Sequence, residues 1–246
     1  MSAGRPDHFA GEIAARYDET SAAMFTAAAV DPVVDVLAEL AGDGRALELA
    51  IGTGRIGLPL AARGVAVVGI ELSPDMVEQL RAKDGGDALD VAVGSFTDTR
   101  VDGEFTLVYL VFNTIGNVTT QAEQVATFRN AATHLAPGGH FVIEVGMPEL
   151  RRLPPGQNTL VFEAREGKWG IDEYDFVEQV LVSHHFEDRG DGRVEHSSLP
   201  FRYAFPAEYD LMAELAGLRL RHRWDDWDRS PFTGESTSHV SVWQKP

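Results

Sequence analysis

The chain contains no cysteine in 246 residues. That excludes disulfide bonds, a thiolate nucleophile and cysteine-ligated zinc or iron–sulfur centres. Basic residues are scarce: 21 Lys and Arg stand against 38 Asp and Glu, a formal net charge of −17. A nucleic-acid polyanion or an anionic membrane surface would be repelled, so neither is expected as the main partner. Long apolar runs are also missing. The uncharged stretch Leu107–Gln121 carries Asn, Gly and Thr and is too short and too polar to span a bilayer. No apolar segment of signal-peptide length follows Met1. These absences predict a soluble, cytoplasmic protein. None of the eight histidines sits in an H-E-x-x-H or comparable spacing, so no metal site is expected.

What is present is ordinary globular material, 44% hydrophobic and 24% charged, enough for one large domain. Residues 8–17 and 31–41 read as helices, the second with Val33, Val34, Leu37 and Leu40 on one stripe. Strands and helices then alternate. Strands are expected at Ala46–Ile51, Val65–Glu71, Val91–Val93, Phe105–Phe112 and His140–Val145. Ser73-Pro74 opens one intervening helix, and Thr120 with Glu123 forms a capping box for another. Apolar strands separated by helices imply a parallel sheet covered on both faces. Beyond Met147 the texture changes to three long strands, 158–165, 173–187 and 193–205, without helices between them. A helix at Pro206–Ala216 and strands at Leu218–Trp224 and His239–Trp243 complete the chain. The expected organisation is a single domain over 1–246: N-terminal helices (1–45), a ligand-binding core (46–146), an inserted antiparallel cap (147–206) and closing elements (207–246).

The string Glu48-Leu-Ala-Ile-Gly-Thr-Gly-Arg-Ile-Gly57 falls where a strand ends and a helix begins, a place for close backbone approach and anion-binding N–H groups. Gly52, Gly54 and Gly57 also fit the dinucleotide fingerprint, with Glu71 at the end of the next strand, so an NAD(P)-dependent oxidoreductase is one reading. Glu48 inside the first strand argues against it, because a buried carboxylate needs a cationic or hydrogen-bonding partner. Glu71-Leu-Ser-Pro-Asp-Met76 sets a carboxylate at a strand tip, with Leu72 and Met76 to enclose a flat ring. With His134-Leu-Ala-Pro-Gly-Gly139 before the fifth strand, residues 40–146 resemble the class I S-adenosylmethionine-dependent methyltransferases.

That resemblance implies a Rossmann-like, doubly wound, mostly parallel seven-stranded α/β sheet with S-adenosyl-L-methionine as cofactor and a small-molecule acceptor. It assigns Glu48, Ala50, Gly52 and Gly54 to the methionine part, Ala50 replacing a glycine of the family motif. Glu71 matches the ribose-binding acid, and Leu72 and Met76 flank the adenine. Gly94, Ser95 and Phe96 match the adenine edge, with Ser95 where the family usually has aspartate. Val111 and Phe112 lie beside the sulfonium. The segment after residue 147 resembles the cap of sugar N,N-dimethyltransferases. Tyr17 resembles the N-terminal tyrosine that closes over the cofactor. Candidate catalytic residues are Tyr17, Asn113 and His185, the last chosen over His184 because its strand face carries Gln179, Ser183 and Glu187. Acceptor nitrogen, oxygen or electron-rich carbon all remain open, as do a monomer or a homodimer and a non-catalytic cofactor-binding protein. Arg151, Arg152 and Arg202 read chiefly as surface salt-bridge formers.

Overall fold

The computed structural model describes residues 7–246; residues 1–6 of the N-terminal segment lie outside the described residues. Helix α1 (Glu12–Thr20), a short 3-10 turn and helix α2 (Ala27–Ala41) precede the alternating section. Strand β1 (Arg45–Leu49), α3 (Gly57–Ala62), β2 (Ala66–Glu71), α4 (Pro74–Arg81), β3 (Asp90–Val93), β4 (Phe105–Leu110), α5 (Gln121–His134) and β5 (Leu135–Gly146) follow. Four consecutive strands come next: β6 (Thr159–Arg165), β7 (Lys168–Asp175), β8 (Val180–Asp188) and β9 (Val194–Arg202). Helix α6 (Pro206–Leu215), β10 (Arg219–Trp224) and β11 (Ser238–Gln244) end the chain.

Seven strands form one sheet in the order β10-β11-β5-β4-β1-β2-β3, parallel except where β11 runs antiparallel to both β5 and β10. Leu47, Leu49, Val108 and Ile143 pack on one face with Phe128 and Trp243, and Ala46, Leu107 and Tyr109 on the other against α2. The chain leaves β1 toward β2 on one side and reaches β4 on the other. This reversal opens a crevice at the strands' carboxyl ends, where open α/β sheets bind ligands. Ser73 caps α4 by accepting from Met76 N, with Pro74 at the first helical position. Thr120 and Glu123 form the expected reciprocal capping box.

The second sheet differs from expectation: it has four strands, β6-β7-β8-β9, all antiparallel. The continuous strand expected over 173–187 is interrupted because Asp175 accepts from Val177 N and Glu178 N, while Gln179 adopts φ 54°. A Glu166-Gly167 turn, with Gly167 at φ 73°, supplies a further hairpin, so that a strand already begins at Lys168 rather than at residue 173. The second helix also starts earlier than the expected residue 31. Ala27–Ala29 are strong helix formers, and Pro32 is accommodated inside the helix near its beginning. Among the described residues no helix is long and apolar enough to cross a membrane.

Candidate functional site

Three connected spaces lie at the crevice. The first is a cleft of about 790 Å³ walled by Ala50, Gly52, Glu71, Leu72, Met76 and Phe96, with Tyr17 and Phe9 from the N-terminal segment. Leu199 and Pro200 of β9 complete its wall, so the second sheet reaches this cleft. A smaller pocket of about 360 Å³ shares Tyr17, Ala50, Gly52 and Thr114 with it and reaches Glu48, Arg55, Val111 and Phe112. A wider outer cleft of about 1,700 Å³ opens between Tyr17, Phe112 and Asn113 on one side and the inner face of the second sheet, His185 included, on the other.

The local sequence explains the walls. Ala50, Gly52 and Gly54 take φ 57°, 57° and 83°, so the turn after β1 lies in the left-handed region that favours glycine. A side chain at Gly52 would meet only Met76 Cε, at 3.5 Å; glycine there keeps the floor of the cleft at backbone level. Glu71 holds this turn: its Oε2 accepts from Gly52 N (2.8 Å) and its Oε1 from Ser73 N (2.9 Å). Helix α1 is tied to the same turn, since Thr53 Oγ1 donates to Asp18 (2.6 Å) and Lys83 joins Asp18 to the Thr53 carbonyl.

Glu48 faces Tyr109 across the β1–β4 register, and the phenol donates to Glu48 Oε2 at 2.9 Å. Glu48 is only 3% exposed, and burial pushes its pKa up to about 8. The nearby Arg55 guanidinium lies 4.7 Å from the centre of the Phe112 ring, and no ion pair engages it among the described residues. Phe112 and Asn113 both adopt positive φ (61° and 58°). Two successive non-glycine residues in this region store strain of order 1 kcal/mol or more each, held by the surroundings. Glu144 supplies that restraint: Phe112 N donates to its Oε2 (2.9 Å) and Asn113 N to its carbonyl (3.0 Å). Asn113 Oδ1 in turn accepts from Gly146 N (3.1 Å). The strained turn thereby leaves the Phe112 ring 38% exposed at the junction of the spaces.

Tyr17, Glu48, Ala50, Gly52, Glu71, Leu72, Met76, Phe96, Val111, Phe112, Asn113 and His185 therefore line these spaces. Gly54, Gly94 and Ser95 stand behind the walls. Gly54 is packed on Leu58, Gly94 N donates to the Glu71 carbonyl, and Ser95 Oγ lies 2.8 Å from Thr97 Oγ1. Arg55, Phe9, Leu199 and Pro200 were not singled out from the sequence; only Arg55, inside Gly-Thr-Gly-Arg, offered a signal. Arg202, read from the sequence as a surface salt-bridge former, is instead buried and bonded to Gln124, Gln179 and Glu208.

Buried carboxylates at Glu48 and Glu71, the Arg55 guanidinium and apolar walls at Leu72, Met76 and Phe96 thus share one crevice. Residues 46–139 match the family model described as a methyltransferase domain. The CcbJ methyltransferase of Streptomyces caelestis superposes with a TM-score of 0.78 at 34% identity, over 87% of this chain and 88% of that one. The chain belongs to the S-adenosylmethionine-dependent methyltransferases. The cypemycin N-terminal methyltransferase of a Streptomyces species is 27% identical over 82% of this methyltransferase and 84% of its own length. A dTDP-3-amino-3,6-dideoxy-α-D-glucopyranose N,N-dimethyltransferase from Streptomyces fradiae is 30% identical over 58% and 56% of the two chains. Membership disfavours both the oxidoreductase and the non-catalytic readings.

Proposed function

We propose that this methyltransferase methylates an amine nitrogen of a small organic molecule held in the outer cleft. The carrying observation is that this cleft meets the two inner spaces at the strained Phe112–Asn113 turn, beside Tyr17 and with His185 on its other wall. The activities named for the cypemycin enzyme and the amino-sugar enzyme, a peptide N-terminus and a sugar amine, support nitrogen. When bound, S-adenosylmethionine supplies a methyl carbon made electrophilic by its sulfonium. Glu48 would accept from its ammonium, Arg55 would pair with its carboxylate, Glu71 would accept from the ribose hydroxyls, and Leu72, Met76 and Phe96 would enclose the adenine. Tyr17 and Phe112 close over the junction and exclude water, while the acceptor is aligned from the second sheet; positioning of this kind supplies much of the rate. His185 takes the proton that a protonated amine must lose before its lone pair can attack. The segment 147–206 is a cap that sets acceptor specificity. The net charge of −17 favours a small-molecule substrate over nucleic acid. The enzyme works in the cytoplasm, as a monomer or homodimer.

The test is thermal unfolding followed by turnover. S-adenosylhomocysteine at about a hundred times a micromolar dissociation constant should stabilise the protein by about 2.7 kcal/mol, whereas NAD should not. Turnover on a panel of amino sugars, amino acids and short peptides should then release S-adenosylhomocysteine with mass added at nitrogen. Methylation confined to hydroxyl or carbon acceptors would overturn the nitrogen assignment.

A further inference from the structure

The inner face of the second sheet holds a polar line that the cofactor does not require. Strand register places Asp172 of β7 directly opposite Ser183 of β8, and His185 is two residues further along the same face. Ser183 is buried; its Oγ lies 3.3 Å from His185 Nε2, and across the strand pair it stands opposite the Asp172 side chain. One oxygen of that carboxylate, Oδ1, is buried with no hydrogen-bond partner among the described residues. The other charges of the cleft are matched. Arg165 pairs with Glu163 (2.6 Å), Lys168 with Glu187 (3.3 Å), and Arg189 with both Glu187 (3.3 Å) and Glu195. Among the described residues Asp172 has no such cation, and its further neighbours Glu149 and Tyr174 offer none.

We infer that Asp172 and Ser183 form a positioning relay that fixes His185 as the base for the acceptor amine. The inference rests on the role proposed above for His185. A serine hydroxyl has one proton to give. With that proton directed at the Asp172 carboxylate, Ser183 Oγ accepts from His185 Nε2–H. The tautomer follows: Nε2 carries the proton and Nδ1 keeps the lone pair that receives one from the acceptor. An arriving R–NH₃⁺ transfers one proton to Nδ1, leaving R–NH₂ and an imidazolium. The freed lone pair forms the N–CH₃ bond as the C–S bond breaks with its electrons to sulfur. The product is R–NH₂⁺–CH₃, and the imidazolium returns its proton to water. Asp172 offsets the imidazolium charge through Ser183, in the manner of a base oriented by a third group. The groups facing His185 are Asp172 and Lys168 from β7, Glu187 from β8, Glu163 and Arg165 from β6, Glu195 from β9, Arg189 from the β8–β9 turn, and Tyr17 from α1. Of these groups Asp172 is the one that stands opposite the Ser183 hydroxyl that His185 touches.

The experiment is a pH profile of kcat/KM for the intact enzyme, Asp172→Asn and Ser183→Ala, with ¹⁵N NMR of the histidine rings. The wild type should show an ascending limb that His185→Ala abolishes, and an Nε2–H tautomer at His185. Asp172→Asn should move the limb's midpoint to lower pH by about one unit and cut the plateau about tenfold. Affinity for S-adenosylhomocysteine should stay unchanged. Ser183→Ala should do the same, and the double variant should be no worse than either single one, as expected for one linked unit. A purely structural contribution would lower the folded fraction and leave the midpoint fixed. An unmoved midpoint in both variants, beside a limb that still depends on His185, overturns the relay alone. If His185→Ala keeps the full wild-type profile, the base assignment itself fails and the relay with it.

Discussion

Glu48→Gln should weaken S-adenosylhomocysteine binding by about 3 kcal/mol, roughly a hundredfold, and should also remove its pH dependence. In the free enzyme burial pushes Glu48 up to about 8, so its carboxyl is protonated near neutrality. An ammonium pairs only with the ionised form, so binding must expel that proton. Affinity in the wild type should therefore climb with pH by up to ~10-fold per unit through the range below 8, and flatten above it. Calorimetry at pH 6.5 in buffers of different ionisation enthalpy should register proton release for the wild type and none for Glu48→Gln. Equal affinities for the two proteins across pH 6–8 would show that Glu48 serves only to anchor the Tyr109 phenol.

Arg202→Met should lower global stability by about 3 kcal/mol or more, roughly 10 °C in the midpoint of thermal unfolding. This guanidinium is 3% exposed and joins β9 to α5 through Gln124, to α6 through Glu208 and to the β7–β8 turn through Gln179. Methionine fills comparable space but leaves the Glu208 carboxylate without its cation and strands the side-chain oxygens of Gln124 and Gln179. Arg151→Ala, at an exposed side chain 4.0 Å from Glu235, should change stability by no more than about 0.5 kcal/mol. The network also has a pH signature. Burial raises the Glu208 pKa, but hydrogen bonds from Gln121, Arg202 and Gln179 outweigh it and hold the carboxyl below its ordinary 4.5. A depressed carboxyl contributes stability above its unfolded value and loses it as pH falls through the folded one. The wild type should therefore lose this contribution below about pH 4.5, and Arg202→Met should lose much less. A midpoint for Arg202→Met within 2 °C of the wild type would contradict the assignment.

The parallel core was legible because its signals are local. Apolar runs such as Leu107–Leu110 are buried on both faces, and the caps at Ser73 and Thr120 depend on residues three positions away. Glu48 stood out as a carboxylate inside an apolar strand; its partner Tyr109, 61 residues on, is set by sheet register and was not visible. The second sheet was legible as antiparallel but not in strand number. Its breaks arise from one Asp175 side chain and a positive φ at Gln179, not from a Pro-Gly turn. Arg202 was misread for a similar reason: a lone arginine at a strand end reads as surface until its glutamine partners converge from two other elements. Leu199 and Pro200 carry no signal for the cofactor cleft, because tertiary folding alone brings β9 over it.

A crystal structure of the enzyme with S-adenosylhomocysteine tests the central claim most directly. The account predicts the ammonium on Glu48, the ribose on Glu71, and the sulfur at the Tyr17–Phe112 junction facing the cleft that His185 lines. A sulfur turned away from that cleft, or a ribose bound without Glu71, would contradict it.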